Sequence, residues 1–331
     1  MAPSRKQLNI LTLLMAGTFV LAIIAAGCTA PQTMPEAVET PVPPAPATTV
    51  PATTPPVQPM VTMTPSATVS PAPSGTYTVQ QIAGKLRVTG STTVFPIAQA
   101  AADAYMEKNG NADIQVSGGG SGVGVQSIGE GTADIGMSSR EISDAEKARY
   151  PGLVPTDIAT DAVVLIVHPS NPVASLTLDQ VRGLYNGTFQ GWNSVGGTLT
   201  FPVIIGRDSA SGTRVYFSEA VMKNEKYRAD MREMNSNGAV KQTVAQTPAA
   251  VGYVGLGYVD SSVKAVKIYS KGEPVAPTIA TVLSHQYPIS RPLYMITKGQ
   301  PAGLAKDYID FIFSPDGQKI VQDQGFVPLK S

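Results

Sequence analysis

An α/β fold is predicted by three features of the sequence. Short apolar stretches of strand length, at residues 113–116, 133–137 and 162–167, alternate with segments of helical character, the rhythm of an α/β architecture. Two helix starts are marked by a hydroxyl three residues before Glu or Gln, in Ser143-Asp144-Ala145-Glu146 and Thr177-Leu178-Asp179-Gln180, the spacing of a capping box. The stretch from Gly84 to Ser331 is also long enough to bury two cores.

Taken in chain order, the first element is a leader. Arg5 and Lys6 precede an apolar run over residues 8–26 that closes on Ala25-Ala26-Gly27-Cys28. This is the pattern of a secretory signal over residues 1–27. Cys28, the only cysteine, stands where a lipoprotein processing box places its lipidated residue, although Ala25 occupies a position usually held by Leu. The run is also nearly long enough to remain as a membrane anchor. Either way the rest of the chain is expected outside the cytoplasm, held at the outer face of the cell membrane or in a periplasm, and a single cysteine forms no internal disulfide.

Residues 28–83 are dominated by Pro, Thr, Ala and Val with hardly any charge, as in Pro41-Val42-Pro43-Pro44. Such a composition buries too little apolar surface to offset chain entropy, so a disordered tether is expected. The globular region is expected over residues 84–331, opening with a strand at Lys85-Leu86-Arg87-Val88-Thr89.

Charge excludes several functions. The 24 basic and 24 acidic side chains cancel, and no Lys/Arg stripe is present to neutralise a nucleic-acid backbone. Only two histidines occur, His168 before Pro169 and His285 before Gln286. With one cysteine they make neither a metal-ligand cluster nor the base of a hydrolase, and no G-x-S-x-G elbow appears. No catalytic residue, metal or cofactor is expected. The glycines do not form a dinucleotide or P-loop motif.

Three segments instead share one design, with hydroxyls and glycines just ahead of a helix. The first is Gly90-Ser91-Thr92-Thr93-Val94-Phe95-Pro96, leading into a helix from Ile97, with Pro96 suited to a first helical turn. The second is Ser117-Gly118-Gly119-Gly120-Ser121-Gly122-Val123-Gly124, ahead of residues 125–129. The third is Gly206-Arg207-Asp208-Ser209-Ala210-Ser211-Gly212-Thr213, ahead of residues 214–221. Free N–H groups and the dipole at a helix start favour an anion, and glycine lets the backbone approach closely. Arg207 adds a planar fork for two oxygens. Each segment alone reads as ordinary capping, but the three together point to a tetrahedral oxyanion.

These loops, with Asp134-Ile135-Gly136-Met137-Ser138-Ser139-Arg140, Gly191-Trp192-Asn193 and Gly252-Tyr253-Val254-Gly255, resemble the phosphate-binding substrate receptors of phosphate ABC transporters. The resemblance covers nearly all of the globular region. It implies a two-lobed, type II-like periplasmic-binding-protein fold that closes around phosphate by hinge motion. The first lobe is expected from residues 84–163 and 257–331, the second from residues 164–256, with crossings near Val163 and Leu256. By position it implies phosphate contacts from Ser91, Thr92, Thr93, Val94, Phe95, Ser121, Ser139, Arg140, Arg207, Ser211, Gly212 and Thr213. It further implies a monomeric receptor that delivers phosphate to an ABC permease.

Some family members carry an aspartate at the position of Ser139, where it accepts the proton that separates hydrogen phosphate from sulfate. Here the Ser139 hydroxyl can accept that hydrogen bond, or Asp208 or Glu141 supplies a carboxylate, and sulfate, molybdate and tungstate stay open as ligands. Arg140 either touches the anion or pairs with Glu141 or Asp144. Trp192 is expected to pack rather than to stack on a ligand, and Tyr253 and Tyr258 to pack at the hinge.

Overall fold

A computed structural model describes residues 77–198 and 200–329. The leader, Cys28 and the Pro/Thr-rich stretch as far as residue 76 lie outside the described residues. Strands and helices alternate from the start: β1 (Gly84–Gly90), α1 (Phe95–Lys108), β2 (Ala112–Ser117), α2 (Ser121–Glu130), β3 (Ile135–Ser138) and α3 (Asp144–Arg149). The long strand β4 (Leu153–Val167) leads to β5 (Ser175–Leu176), α4 (Leu178–Asn186), β6 (Val203–Arg207), α5 (Gly212–Ala220), β7 (Arg232–Met234), α6 (Asn237–Gln246) and β8 (Ala250–Gly255). Then follow β9 (Lys264–Ala265), β10 (Lys267–Ser270), β11 (Glu273–Val275), α7 (Ile279–Leu283), β12 (Ser290–Lys298), α8 (Gly303–Phe313) and α9 (Pro315–Asp323).

The main sheet runs β2-β1-β3-β12-β4-β8-β6-β7, with β9 also alongside β4, and β11-β10-β5 form a small second sheet. Strands β2, β1 and β3 are mutually parallel, as are β8, β6 and β7. Strand β4 joins the halves. Its residues up to Ala162 pair with β12, and its residues from Val163 pair with β8. The run Ala162-Val163-Val164-Leu165-Ile166-Val167 is fully buried, so this strand is apolar on both faces, as a central strand must be.

Each half has its own hydrophobic core. The first gathers Leu86, Val88, Ile97, Tyr105, Ile135, Leu293, Tyr308 and Phe311. The second gathers Val164, Leu184, Trp192, Phe217, Val240 and Tyr253. Two expected boundaries shift. Val263, Val266, Ile268, Val282, Tyr287 and Ile289 pack into the second core, so residues 263–289 stay with the middle of the chain and the return occurs at β12 rather than near Leu256. The reason is β-pairing, because β9 lies along β4 and β10 pairs with β5. The packed region also begins before Gly84. Val79 is buried, Tyr77 and Ile82 lie against the first core, and Asp307 accepts from Tyr77 Oη, Tyr105 Oη and the Gln80 N–H.

Both capping boxes form, Ser143 with Glu146 and Thr177 with Gln180. The glycine-rich segments bring backbones together. Gly90 has φ 134°, and a Cβ there would lie 2.4 Å from Met137 O and 2.7 Å from the Cα of Gly124. Only glycine permits that conformation and that approach, which is what presses α2 onto β1 and β3. Among the described residues no helix is long and apolar enough to cross a membrane.

Candidate functional site

The candidate site lies where parallel strands end. Strands β1, β2 and β6 each run at their C-terminal end into a glycine- and hydroxyl-containing turn and then a helix, and β3 ends at Ser138 beside Ser139. Crevices at the carboxyl ends of parallel strands are where open α/β sheets hold ligands.

The helices start earlier than the sequence suggests. α2 begins at Ser121, not at Val125, and α5 begins at Gly212. Ser211 caps α5 by accepting the Arg214 N–H at 3.2 Å. That leaves the Gly212 and Thr213 N–H groups, which no intrahelical carbonyl can reach, at the start of the helix dipole. In the first loop Ser91 Oγ accepts from Thr93 N and Val94 N at 3.2 and 3.4 Å. Ser91 therefore organises this turn from within. Val94 turns into the first core, and Phe95 opens α1 with Pro96 in its first turn.

The structure brings the three loops into contact. Thr93 Oγ1 lies 3.1 Å from Thr213 Oγ1. Ser121 Oγ lies 3.3 Å from Ser139 Oγ and accepts the Ser139 N–H at 3.0 Å. A Cβ on Gly212 would meet Ser121 Oγ at 2.2 Å and Ser139 Oγ at 2.9 Å. The Gly122 N–H donates to Ala210 O at 3.0 Å. Ser91, Thr93, Ser121, Ser139, Arg207, Ser211 and Thr213 are all buried, an unusual density of polar side chains away from water.

Arg207 is a buried cation beside these loops, with 1% of the residue exposed. Nε donates to Met234 O at 3.1 Å, and Nη2 donates to Asn235 O and Thr92 Oγ1, both at 3.2 Å. Nη1 is buried without a partner. Burial pulls the guanidinium below its ordinary pKa; Tyr253 and Asp208 oppose this, while repulsion from Arg291 adds to it. A buried cation whose hydrogen-bond acceptors are all neutral oxygens favours an anionic ligand.

Arg140 is not part of this constellation. Its Nη1 and Nη2 donate to the two carboxylate oxygens of Glu146, both at 2.7 Å, and Nη1 also donates to Glu141 O. The partner is neither Glu141's side chain nor Asp144, because Glu146 is already fixed by the α3 capping box and presents a ready bidentate acceptor. Burial raises the Glu146 carboxyl, but hydrogen bonds from Arg140 and Ser143 outweigh it, leaving the pKa below the ordinary carboxylate value. With the folded pKa depressed, the stabilisation is present above the unfolded value and is lost as pH falls through the folded one. Arg140→Ala should therefore lower stability by about 1 kcal/mol near neutrality and by less once the pH falls below the ordinary carboxylate value, as urea midpoints at the two conditions would show. Its oxyanion affinity should change little, since both terminal nitrogens of Arg140 are already taken by Glu146.

Other residues take their places. Trp192 sits in the second core with Nε1 donating to Ala249 O at 3.0 Å. Tyr253 stacks on Phe217 and accepts the Arg207 N–H. Tyr258 donates to the Thr92 carbonyl. Of the two carboxylates offered in place of an aspartate at position 139, Glu141 is exposed, whereas Asp208 Oδ1 is buried without a partner. Among the described residues no group of His, Cys, Asp or Glu could hold a metal ion.

Three polar residues beside the site escape the motif reading. Asn237, at the start of α6, donates through Nδ2 to Thr92 Oγ1 and Thr93 Oγ1, both at 3.0 Å, and accepts the Gly255 N–H. Asp161 and Arg291 form a buried ion pair at 2.9 Å. The available signals were weak: an aspartate inside an otherwise apolar strand sequence, an arginine ahead of Pro292, and an Asn-Gly after Ser236.

Residues 75–316 match the PBP superfamily domain. The phosphate-binding protein PstS of Bacillus subtilis (strain 168) is 33% identical over 252 residues, 76% of this chain and 82% of that protein. The chain belongs to the PstS family of this superfamily. A phosphate ABC transporter substrate-binding protein from Clostridium perfringens, solved with bound phosphate, is 35% identical and superposes with a TM-score of 0.70 over 75% of this chain and 100% of that one. An ABC-type phosphate transport receptor from Vibrio cholerae is 30% identical, with a TM-score of 0.61 over 74% of this chain and 100% of that chain.

Proposed function

We propose that this chain is an extracytoplasmic receptor, not an enzyme, that captures inorganic phosphate between its two cores and delivers it to an ABC permease. The observation that carries this reading is Arg207: buried, served only by neutral acceptors, and left with a free Nη1 where three helix-opening loops meet. A tetrahedral anion would take that donor, the N–H groups at the start of α5 and the hydroxyls of Thr93, Ser121, Ser139 and Thr213. The cycle is capture in an open cleft, closure around the dehydrated anion, and reopening on the permease. Attachment to the membrane, through a lipid on Cys28 or through residues 8–26, keeps the receptor near its transporter, and it acts as a monomer.

Calorimetric titration of the full chain with phosphate, sulfate, molybdate and tungstate tests this. Phosphate should bind with a Kd of about 1 μM or tighter, and sulfate at least about 100-fold more weakly, the margin that one unpaired buried proton or acceptor can impose. Tighter binding of a fully ionised anion would transfer the reading to another oxyanion receptor. Absence of binding by all four would end it.

A further inference from the structure

Arg291 and Asp161 are buried at the junction of the two cores, and the motifs of the family resemblance account for neither. Asp161 lies on β4 opposite Arg291 of β12, one residue before Ala162, the last to pair with β12 before the strand passes to β8. Its Oδ2 accepts from Nε and Nη2 of Arg291 at 3.2 and 2.9 Å, and its Oδ1 accepts the Leu256 N–H at 2.9 Å. Burial raises the Asp161 carboxyl, with Arg291 and the N–H groups of Leu256 and Ala162 pulling the other way.

The guanidinium is planar and its donors point in fixed directions. Asp161 occupies the Nε–Nη2 side. The remaining Nη2 proton points beyond the end of the group, towards Thr213 Oγ1 at 2.9 Å and Thr93 Oγ1 at 3.4 Å. Those hydroxyls belong to two of the loops that surround the Arg207 site. Tyr216 covers the guanidinium, with Cζ 5.5 Å from its ring centroid. Arg291 borders a cavity of about 600 Å³ together with Arg140, Tyr216 and Glu219, yet its Nη1 is buried and has no partner.

A buried ion pair is rarely retained for stability alone, and an unserved donor makes it costlier. We propose that Arg291 is a second anion-gripping arginine, presenting Nη1 to the same oxyanion as Arg207, and that Asp161 is the positioning residue that aims it. The inference rests on the receptor reading above. The site then holds its ligand between one cation on β6 and one on β12. Because Asp161 also holds the Leu256 N–H just past β8, the second grip on β12 is tied to the end of a strand of the second core.

Phosphate titration of three full-length variants separates gripping from charge balance. Arg291→Gln should weaken phosphate binding roughly 100-fold, as truncation of a buried charge contact does. The double variant Asp161→Asn/Arg291→Gln removes both buried charges, and it should recover the thermal midpoint but remain as weak a binder as the single variant. Asp161→Asn alone should weaken binding by a smaller factor, about tenfold, by loosening the aim of Arg291. Recovery of near wild-type affinity in the double variant would overturn the proposal, because Arg291 would then only balance Asp161. Should the variants fail to fold, side-chain ¹⁵N spectra of the wild-type chain decide. The Arg291 Nη resonances should shift with phosphate along the same saturation curve as those of Arg207, and no shift would overturn the proposal. Wild-type binding with unaltered Arg291 variants sinks this inference alone, whereas absence of wild-type binding removes the receptor reading as well.

Discussion

Arg207→Gln should lower phosphate affinity by about 1000-fold, roughly 4 kcal/mol, while leaving the unliganded protein at least as stable as the parent. The first half of this expectation follows from geometry. Glutamine retains a stem and one amide, but it loses the charge and the Nη1 donor that has no other partner. The second half follows from the cost of burial. In the absence of ligand the guanidinium is held inside the protein by Met234 O, Asn235 O and Thr92 Oγ1, and burial depresses its pKa. A group whose charged form is disfavoured by its surroundings is not a source of folding stability. Thermal unfolding with and without phosphate provides the check. The parent should gain several degrees from saturating phosphate through linkage, and Arg207→Gln should gain almost nothing. A variant that unfolded early without ligand, yet bound phosphate normally, would make Arg207 a structural residue.

The contrast between Arg207 and Arg140 shows what the sequence can and cannot convey. Both arginines stand beside hydroxyl-rich segments, and the family resemblance offers both as contacts. Only the structure reveals that Arg140 faces the capping box of α3, where Glu146 takes both of its terminal nitrogens, while Arg207 faces neutral oxygens. Side-chain direction depends on which face of a turn the backbone presents, and loop residues carry no periodicity to disclose it. The alternation of strands and helices was legible because it is periodic and local, as were the boxes at Ser143 and Thr177. The return of the chain at β12 was not legible, because it depends on the non-local pairing of β9 with β4 and of β10 with β5. Asp161 and Arg291 stayed hidden for the same reason: separated by most of the second core in sequence, they become a pair only when β4 and β12 lie side by side.

Closure itself can be tested at Gly212, where Gly212→Ala should reduce phosphate affinity by about 1000-fold without unfolding either core. Gly212 opens α5 of the second half, and across the cleft it touches Ser121 of α2 and Ser139 after β3. An added methyl carbon would lie 2.2 Å from Ser121 Oγ, 2.8 Å from Ser121 Cβ and 2.9 Å from Ser139 Oγ. Rotating the serine hydroxyl away does not relieve the clash, because the Cβ contact remains and the hydroxyl is held by the Ser139 N–H. The halves must therefore separate, and the anion would lose one set of donors while keeping the other. Within α5 the change is benign, since alanine is a better helix former than glycine, so the unliganded thermal midpoint should hold or rise slightly. Small-angle scattering should show the parent contracting on phosphate addition and the variant staying extended. Adding Ser121→Gly to Gly212→Ala removes the two closest obstacles, and it should restore contraction and part of the affinity. If the single variant contracts and binds as the parent does, the Gly212–Ser121 contact is not where the two halves meet around the ligand.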